Sequence, residues 1–242
     1  MKKHSFKNHA YTDLFFDLDR TLWDFERNSR ETFMELYHKY QLTQQYGSFD
    51  LFYSTYREYN KELWMLYRSE KITKDELSWK RFDLTLKDID IDDEKLARNL
   101  SKDYLTISPT KQKVFPHTFL SLTFLNKQYN LNLITNGFKE VQLKKLENCG
   151  LTHFFKHIFI SEEIGYLKPH VKFFEHVLKV TGANPKNSIV IGDDLMVDIK
   201  GAAEAGMDSI WINHQKLDLD ELDLDFSPTH EVASLKNLIH IL

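Results

Sequence analysis

"DLFFDLDRTLWDFE", residues 13–26, runs from an apolar stretch at Leu14 to Phe16 into Asp17 and Asp19, with Thr21 just beyond. A short unbroken apolar run reads as a strand buried on both faces, and such strands belong to parallel sheets. Ligands of open α/β sheets bind beyond the carboxyl ends of the strands, so an acid directly after the run stands where chemistry is done. Asp17 and Asp19 hold that position. Extended backbone sends residues i and i+2 to one side, which predicts the two carboxylates side by side. Like charges that close call for a cation or a shared proton. Asp-Leu-Asp recurs at 218–220 and 223–225, but those copies follow "NHQK" instead of an apolar strand and read as a solvated acidic segment.

Working outward, the glycines divide the chain. Of 8 glycines only Gly47 falls in the first half, and the rest lie between Gly137 and Gly206. From Asp24 to about Ser108 apolar residues recur at helical spacing: Phe33, Leu36, Tyr37 and Tyr40, then Phe52, Tyr56, Tyr59, Leu63 and Leu66. Thr73 with Glu76 makes a capping box, and Asp92 is placed to cap a further helix carrying Leu96, Leu100 and Tyr104. This stretch is expected to be a helical bundle. Elsewhere β-rich runs at 14–16, 131–135, 157–160, 188–191 and 209–212 alternate with helices near 117–129, 138–148, 169–181 and 195–205. That pattern predicts a doubly wound parallel α/β sheet. The domains expected are an α/β core from residues 1–23 and 109–242, and a helical insertion from 24–108.

Two more strand ends carry chemistry. In "SIVIGDDLMVDIKGAAEAG", Gly192 allows a sharp turn, Asp193 ends the strand, and Asp194 is placed to cap the helix that follows. Asp198, a turn further on, reads either as support for a ligand or as helix surface. Two strand-end acid clusters suit one divalent site. All-oxygen ligation by few carboxylates favours Mg²⁺, which serves phosphate substrates. In "NLITNGF", Thr135 ends a strand, and its hydroxyl and the amides after it can donate to a phosphate as a helix begins; Asn136-Gly137 is also a turn signal by itself. In "GYLKPH", Lys168 precedes Pro169, read as the first residue of a helix. A cation there opposes the helix dipole and so argues for an anion to neutralise.

Taken in order, these four motifs, Asp17-Leu-Asp-Arg-Thr, Thr135, Lys168-Pro169 and Gly192-Asp193-Asp194 with Asp198, resemble those of the haloacid dehalogenase-like (HAD) superfamily over essentially the whole chain. The insertion resembles that superfamily's helical cap. "DLDRTLWDFERNS", "SEEIGYLKP" and "IGDDLMVDIKGA" are most similar to its branch of noncanonical pyrimidine 5′-nucleotidases. Arg20, His170 and Asp194 stand where relatives often carry other residues.

The resemblance implies a Rossmann-like core and a Mg²⁺-dependent phosphomonoesterase. Asp17 is then the nucleophile that forms an aspartyl-phosphate, and Asp19 the general acid and base. Thr135, Asn136 and Lys168 bind the phosphate. Asp17, Asp193 and the backbone carbonyl of Asp19 bind the metal, with Asp194 and Asp198 behind them. Cap closure excludes water. The substrate implied is a small phosphorylated metabolite, a pyrimidine nucleoside 5′-monophosphate before a sugar phosphate or phosphoglycolate.

Composition excludes other classes. A net charge of −4 gives no whole-chain attraction for a nucleic-acid polymer or an anionic membrane. One cysteine, Cys149, allows no internal disulfide and reads as a packing residue. The N-terminal "MKKHSFKNHA" lacks the apolar core of a signal peptide, so a cytoplasmic location is expected. No apolar run approaches the roughly 20 residues of a membrane span. Neither G-x-x-x-x-G-K-[ST] nor G-x-G-x-x-G occurs. A phosphoacceptor module without turnover also uses strand-end aspartates with Thr and Lys, but places its phosphorylated aspartate after a middle strand and has no insertion after the first. A dehalogenase on this fold needs no acid at position 19. The 18 Phe and 11 Tyr crowd the helical stretch and read mostly as core, while Trp23 and Asp24, leaving the first motif, are placed for substrate contact.

Overall fold

The central apolar run is the middle of a parallel sheet. The computed structural model describes residues 11–242, so the stretch "MKKHSFKNHA" and the expectation attached to it lie outside the described residues. Among the described residues six strands pair in the order β3-β2-β1-β4-β5-β6. They are β1 (Asp13–Phe16), β2 (Asn130–Thr135), β3 (His157–Ile160), β4 (Ser188–Gly192), β5 (Asp208–Ile212) and β6 (His230–Val232). Every pairing is parallel, with Leu14 opposite Leu131 on one side and Ile189 on the other. The chain steps outward from β1 to β3 and then returns to the other side of β1 as β4. The carboxyl ends of β1 and β4 therefore flank the point where the strand order reverses.

Two compact units organise the chain. The first takes the residues up to Asp24, Val114–Gln142 and Gly150–Leu242. The second takes Phe25–Lys113 with Leu143–Cys149, so the return falls at 113–114 and not at 108. The helices, in chain order, are α1 (Phe25–Lys39), α2 (Thr43–Tyr46), α3 (Phe49–Arg68), α4 (Lys74–Lys87), α5 (Glu94–Ile107), α6 (Thr118–Leu125), α7 (Lys139–Asn148), α8 (Ser161–Ile164), α9 (Val171–Thr181), α10 (Lys200–Glu204) and α11 (Leu238–Ile241).

In the sheet unit all four residues of β1 are buried. Phe15 packs with Ile134, Phe159, Phe173, Phe174, Val177 and Val190, which joins one sheet face to α9. Each such side chain contributes roughly 1.5–3 kcal/mol on burial. A one-residue slip would turn every side chain of the strand to the other face, so this packing fixes which residue leaves the end of β1. That residue is Asp17.

In the helical unit the aromatic residues form the core. Phe33 of α1 lies with its ring centroid 4.1 Å from Tyr56 and 5.1 Å from Tyr104, among the buried Phe52, Tyr53 and Phe82. Arg81, only 3% exposed, sets its guanidinium 5.1 Å from the Tyr104 ring and donates to Asn60 Oδ1 at 2.9 Å and to Ser78 O at 3.2 Å. The Thr73–Glu76 capping box closes the start of α4. Cys149 is buried, as its packing role requires.

Three local expectations are corrected. The start of α5 is capped by Asp93, whose carboxylate accepts from Leu96 N–H, while Asp92 pairs with Lys87. Pro169 does not open a helix: α9 begins at Val171, with His170 as its N-cap, and the Lys168-Pro169 peptide is cis. The sixth strand, β6, is absent from the sequence pattern because its three residues include polar His230 and Glu231, leaving no apolar alternation to read. No helix among the described residues is long and apolar enough to cross a membrane.

Candidate active site

Asp17 N–H donates to Ile191 O at 2.9 Å, which extends the β1–β4 pairing by one residue and fixes the backbone that carries the carboxylate. The chain then turns. Leu22 and Trp23 N–H both donate to Leu18 O, and Arg20 adopts a positive φ of 67°. The turn spans residues 20–22, beyond both acids, and the two side chains find different partners. Asp17 Oδ1 accepts from Lys168 Nζ at 2.8 Å, whereas Asp19 Oδ2 accepts from Gln142 Nε2 at 2.8 Å.

Lys168 is 1% exposed, and its ammonium is the hub of the site. Besides Asp17, Nζ donates to Asp198 Oδ1 at 2.7 Å and Ile134 O at 3.1 Å, so all three protons are placed. Asn136 pins the lysine backbone by a reciprocal pair: its Nδ2 donates to Lys168 O and its Oδ1 accepts from Lys168 N–H, both at 2.8 Å. The Asn136 side chain therefore serves the position of the lysine. The ammonium lies between two aspartates, and its location is explained by them and not by any helix dipole.

Asp17, Asp193 and Asp198 each offer a carboxylate oxygen, all within 4.8 Å of one another. Asp193 Oδ1 accepts from Thr21 Oγ1 at 3.2 Å, and Trp211 Nε1 donates to Asp193 O at 2.8 Å. Asp198 is 1% exposed, and its Oδ2 accepts from Asp194 N–H at 3.3 Å, so both its oxygens have partners. Asp194 caps the π-helical turn Leu195–Ile199 by accepting from Met196 and Val197 N–H.

Gly192 is required for space. A Cβ there would lie 2.3 Å from Asp198 Oδ2 and 2.6 Å from Asp198 Cβ, so the glycine admits the aspartate against the strand end. Its φ is not left-handed, and the sharp turn expected of it is not its reason.

Three carboxylates against one ammonium leave a negative excess in a desolvated place. Burial pushes Asp17 up to about 7; Lys168 pulls it down, and Asp198 and Asp19 push it up again. Desolvation, then the charges of Asp17 and Asp198, push Asp193 well above the usual carboxylate range, against the pull of Arg20. Asp198 is raised by burial despite Lys168. Burial works against a charged Lys168, but the two aspartates more than reverse it and hold the ammonium protonated. Such a surplus of buried oxygen charge fits a divalent cation.

Thr135, 1% exposed, ends β2. Its Oγ1 accepts from Gly137 N–H at 3.2 Å and Gln142 Nε2 at 2.6 Å. With both acceptor positions filled, the hydroxyl proton is directed elsewhere. Trp23 is fully buried, which counts against its meeting a substrate, and Asp24 is as buried as Asp17. Asp218 and Asp223 are exposed.

Sequence reasoning missed Gln142 and Trp211, and it named Thr21 within the first motif without a role. Gln142 sits in the first turn of α7 with no motif around it, and Trp211 ends an apolar strand, where it reads as packing alone.

Residues 14–212 match the profile described as haloacid dehalogenase-like hydrolase. The chain is 30% identical over 233 residues to YfnB of Bacillus subtilis, covering 96% of this chain and 95% of that one. The magnesium-bound crystal structure of YfnB superposes with a TM-score of 0.86, covering 96% of this chain and 99% of that one. Pyrimidine 5′-nucleotidase PynA of Streptococcus pneumoniae is 31% identical over 238 residues, 96% of this chain and 95% of its own. Glyceraldehyde 3-phosphate phosphatase of Methanothermobacter thermautotrophicus is 33% identical over 131 residues, 52% of this chain and 58% of its own.

Proposed function

Because the chain belongs to the haloacid dehalogenase-like hydrolases, we propose that it is a phosphomonoesterase that passes the phosphoryl group of its substrate through Asp17. The observation that carries this reading is the Asp17 carboxylate at the end of the central strand, with Oδ1 held by buried Lys168 at 2.8 Å and Asp193 beside it. Lys168 occupies Oδ1, so the attack falls to the other oxygen. An electron pair of Asp17 Oδ2 forms the bond to phosphorus. The bond from phosphorus to the leaving oxygen breaks, and that oxygen takes its proton from the Asp19 carboxyl. In the second half Asp19 removes a proton from water as it attacks phosphorus, which releases phosphate and restores Asp17.

The transition state is loose and spreads charge over the equatorial oxygens, so positioning and charge do most of the work. Lys168 opposes that charge, Thr135 donates its hydroxyl proton, and Asp198 holds Lys168. The side chains of Asp17 and Asp193, with the backbone carbonyl of Asp19, would hold Mg²⁺. Asp198, whose oxygens also accept from Lys168 and from Asp194 N–H, lies within reach of the same ion. When bound, the ion supplies charge neutralisation between the nucleophile and the phosphate. Asp19 also separates this reading from a dehalogenase, which needs the nucleophile alone.

The substrate we infer is a pyrimidine nucleoside 5′-monophosphate. Support comes from similarity to PynA across nearly the whole of both chains, whereas the similarity to the glyceraldehyde 3-phosphate phosphatase spans about half of each. Most aromatic residues of the helical unit give no help, because their rings are packed into its own core, although Trp64 and Tyr67 of α3 stand outside it. A sugar phosphate is the second reading. A screen of nucleotides and sugar phosphates at fixed Mg²⁺, ranked by kcat/KM, tests the choice: UMP, dUMP and dTMP should lead, and all three falling below the sugar phosphates removes the nucleotidase reading. Asp17→Asn should abolish hydrolysis with the fold intact, and wild-type turnover in that variant removes the phosphatase reading as well.

A further inference from the structure

We propose that Gln142 is the positioning residue for proton transfer by Asp19, selecting which carboxyl oxygen carries the proton to the leaving group. The inference rests on the phosphatase reading. Gln142 is fully buried in the first turn of α7, and its Nε2 donates to Asp19 Oδ2 at 2.8 Å and to Thr135 Oγ1 at 2.6 Å. Both amide protons are thereby assigned.

The orientation follows from chemistry. The carboxylate that Asp19 becomes after the acid step only accepts, so turning the amide over would then set Oε1 against an acceptor. Among the described residues Oε1 has no partner, a loss for a buried acceptor. The side chain is therefore held in place by what its nitrogen does. Space is reserved for it as well: a Cβ on Gly137 would lie 2.4 Å from Gln142 Cδ and 2.5 Å from Nε2.

In a protonated carboxyl the carbonyl oxygen is the better acceptor of an N–H bond, and the hydroxyl oxygen is the donor. With Gln142 donating to Oδ2, the proton of Asp19 resides on Oδ1. From there it moves to the leaving oxygen as the bond from phosphorus breaks, and Asp19 is left as a carboxylate with Oδ2 still held. The same bond keeps Asp19 from rotating between the acid step and the base step.

The test is the dependence of kcat/KM on leaving-group pKa, measured for wild type, Asp19→Asn, Gln142→Met and the near-isosteric Gln142→Glu. The substrates are a series of aryl phosphates and one alkyl phosphate. Gln142→Met should lose about tenfold or more with the alkyl phosphate and little with p-nitrophenyl phosphate, within the 10²–10⁴-fold range of acid catalysis, steepening the slope as Asp19→Asn does. A uniform loss through Thr135 leaves the slope unmoved and is separated from it. A wild-type slope in both Gln142 variants, beside a steep Asp19→Asn slope, overturns the proposal and leaves the phosphatase reading standing. A wild-type slope in Asp19→Asn overturns the acid assignment and this proposal together, and absence of phosphatase activity in the wild type overturns the reading beneath both.

Discussion

Replacing Lys168 by Met tests the electrostatic account of the site most directly. The substitution keeps most of the buried stem and removes an ammonium bonded to Asp17 at 2.8 Å and Asp198 at 2.7 Å. With an effective dielectric of about 20, each contact is worth about 6 kcal/mol of Coulomb attraction, opposed by several kcal/mol for desolvating the ammonium. Removing one partner of a buried ion pair typically costs about 3–5 kcal/mol, because a buried charge is left uncompensated. For a chain of this size that is a fall in Tm of about 6–20 °C.

The sign with pH follows from the carboxylates. Burial holds Asp17 up to about 7 in the folded protein, above its unfolded value, so the stability due to its protonated form is full below about pH 4 and is lost as pH rises through about 7. Lys168 lowers the Asp17 pKa, so its removal raises it further. The variant should therefore be most destabilised at pH 8 and approach the wild type as the medium is acidified. Urea unfolding in EDTA at pH 5 and pH 8 measures both. Adding Asp17→Asn to the variant should recover part of the loss at pH 8. A loss under about 1 kcal/mol at pH 8, or the same loss at both pH values, would refute the view that the ammonium compensates buried carboxylate charge.

Two further outcomes are expected. Gly192→Ala should lower kcat steeply while the protein still folds, since a Cβ 2.3 Å from Asp198 Oδ2 displaces the aspartate that holds Lys168; unchanged kcat would mean Asp198 is dispensable. Gly150→Ala is the control: with φ +67° and nothing within 4 Å of the added Cβ, it should lower Tm by backbone strain and leave kcat alone. Asp193→Asn should raise the Mg²⁺ concentration needed for half-maximal rate, whereas Asp218→Asn and Asp223→Asn should not. A change in either exposed variant would show that an acidic doublet acts without a strand beneath it.

The amino-acid sequence by itself determined the class of fold and where its chemistry lies. Leu14 to Phe16 read as a strand covered on both faces, and an acid directly after such a strand stands where ligands of α/β sheets bind. The helical periodicity from Phe33 to Leu66 is likewise a local property, written in the 3.6-residue repeat and needing no partner to be read. Tertiary structure alone decided which polar groups meet. Asp198 had two readings in the sequence; it becomes the second anchor of Lys168 because the strand order places β4 beside β1. The side chain of Asn136 clamps the lysine backbone, a role that no motif spelled out. Gln142 had no motif, and Trp211 looked like core, yet the first donates to Asp19 and Thr135 and the second to Asp193 O. The physical reason is range. Apolar burial and backbone periodicity repeat along the chain and are legible at short separation, whereas a hydrogen bond between residues 123 positions apart, as between Gln142 and Asp19, exists only after the sheet has brought its strand ends together.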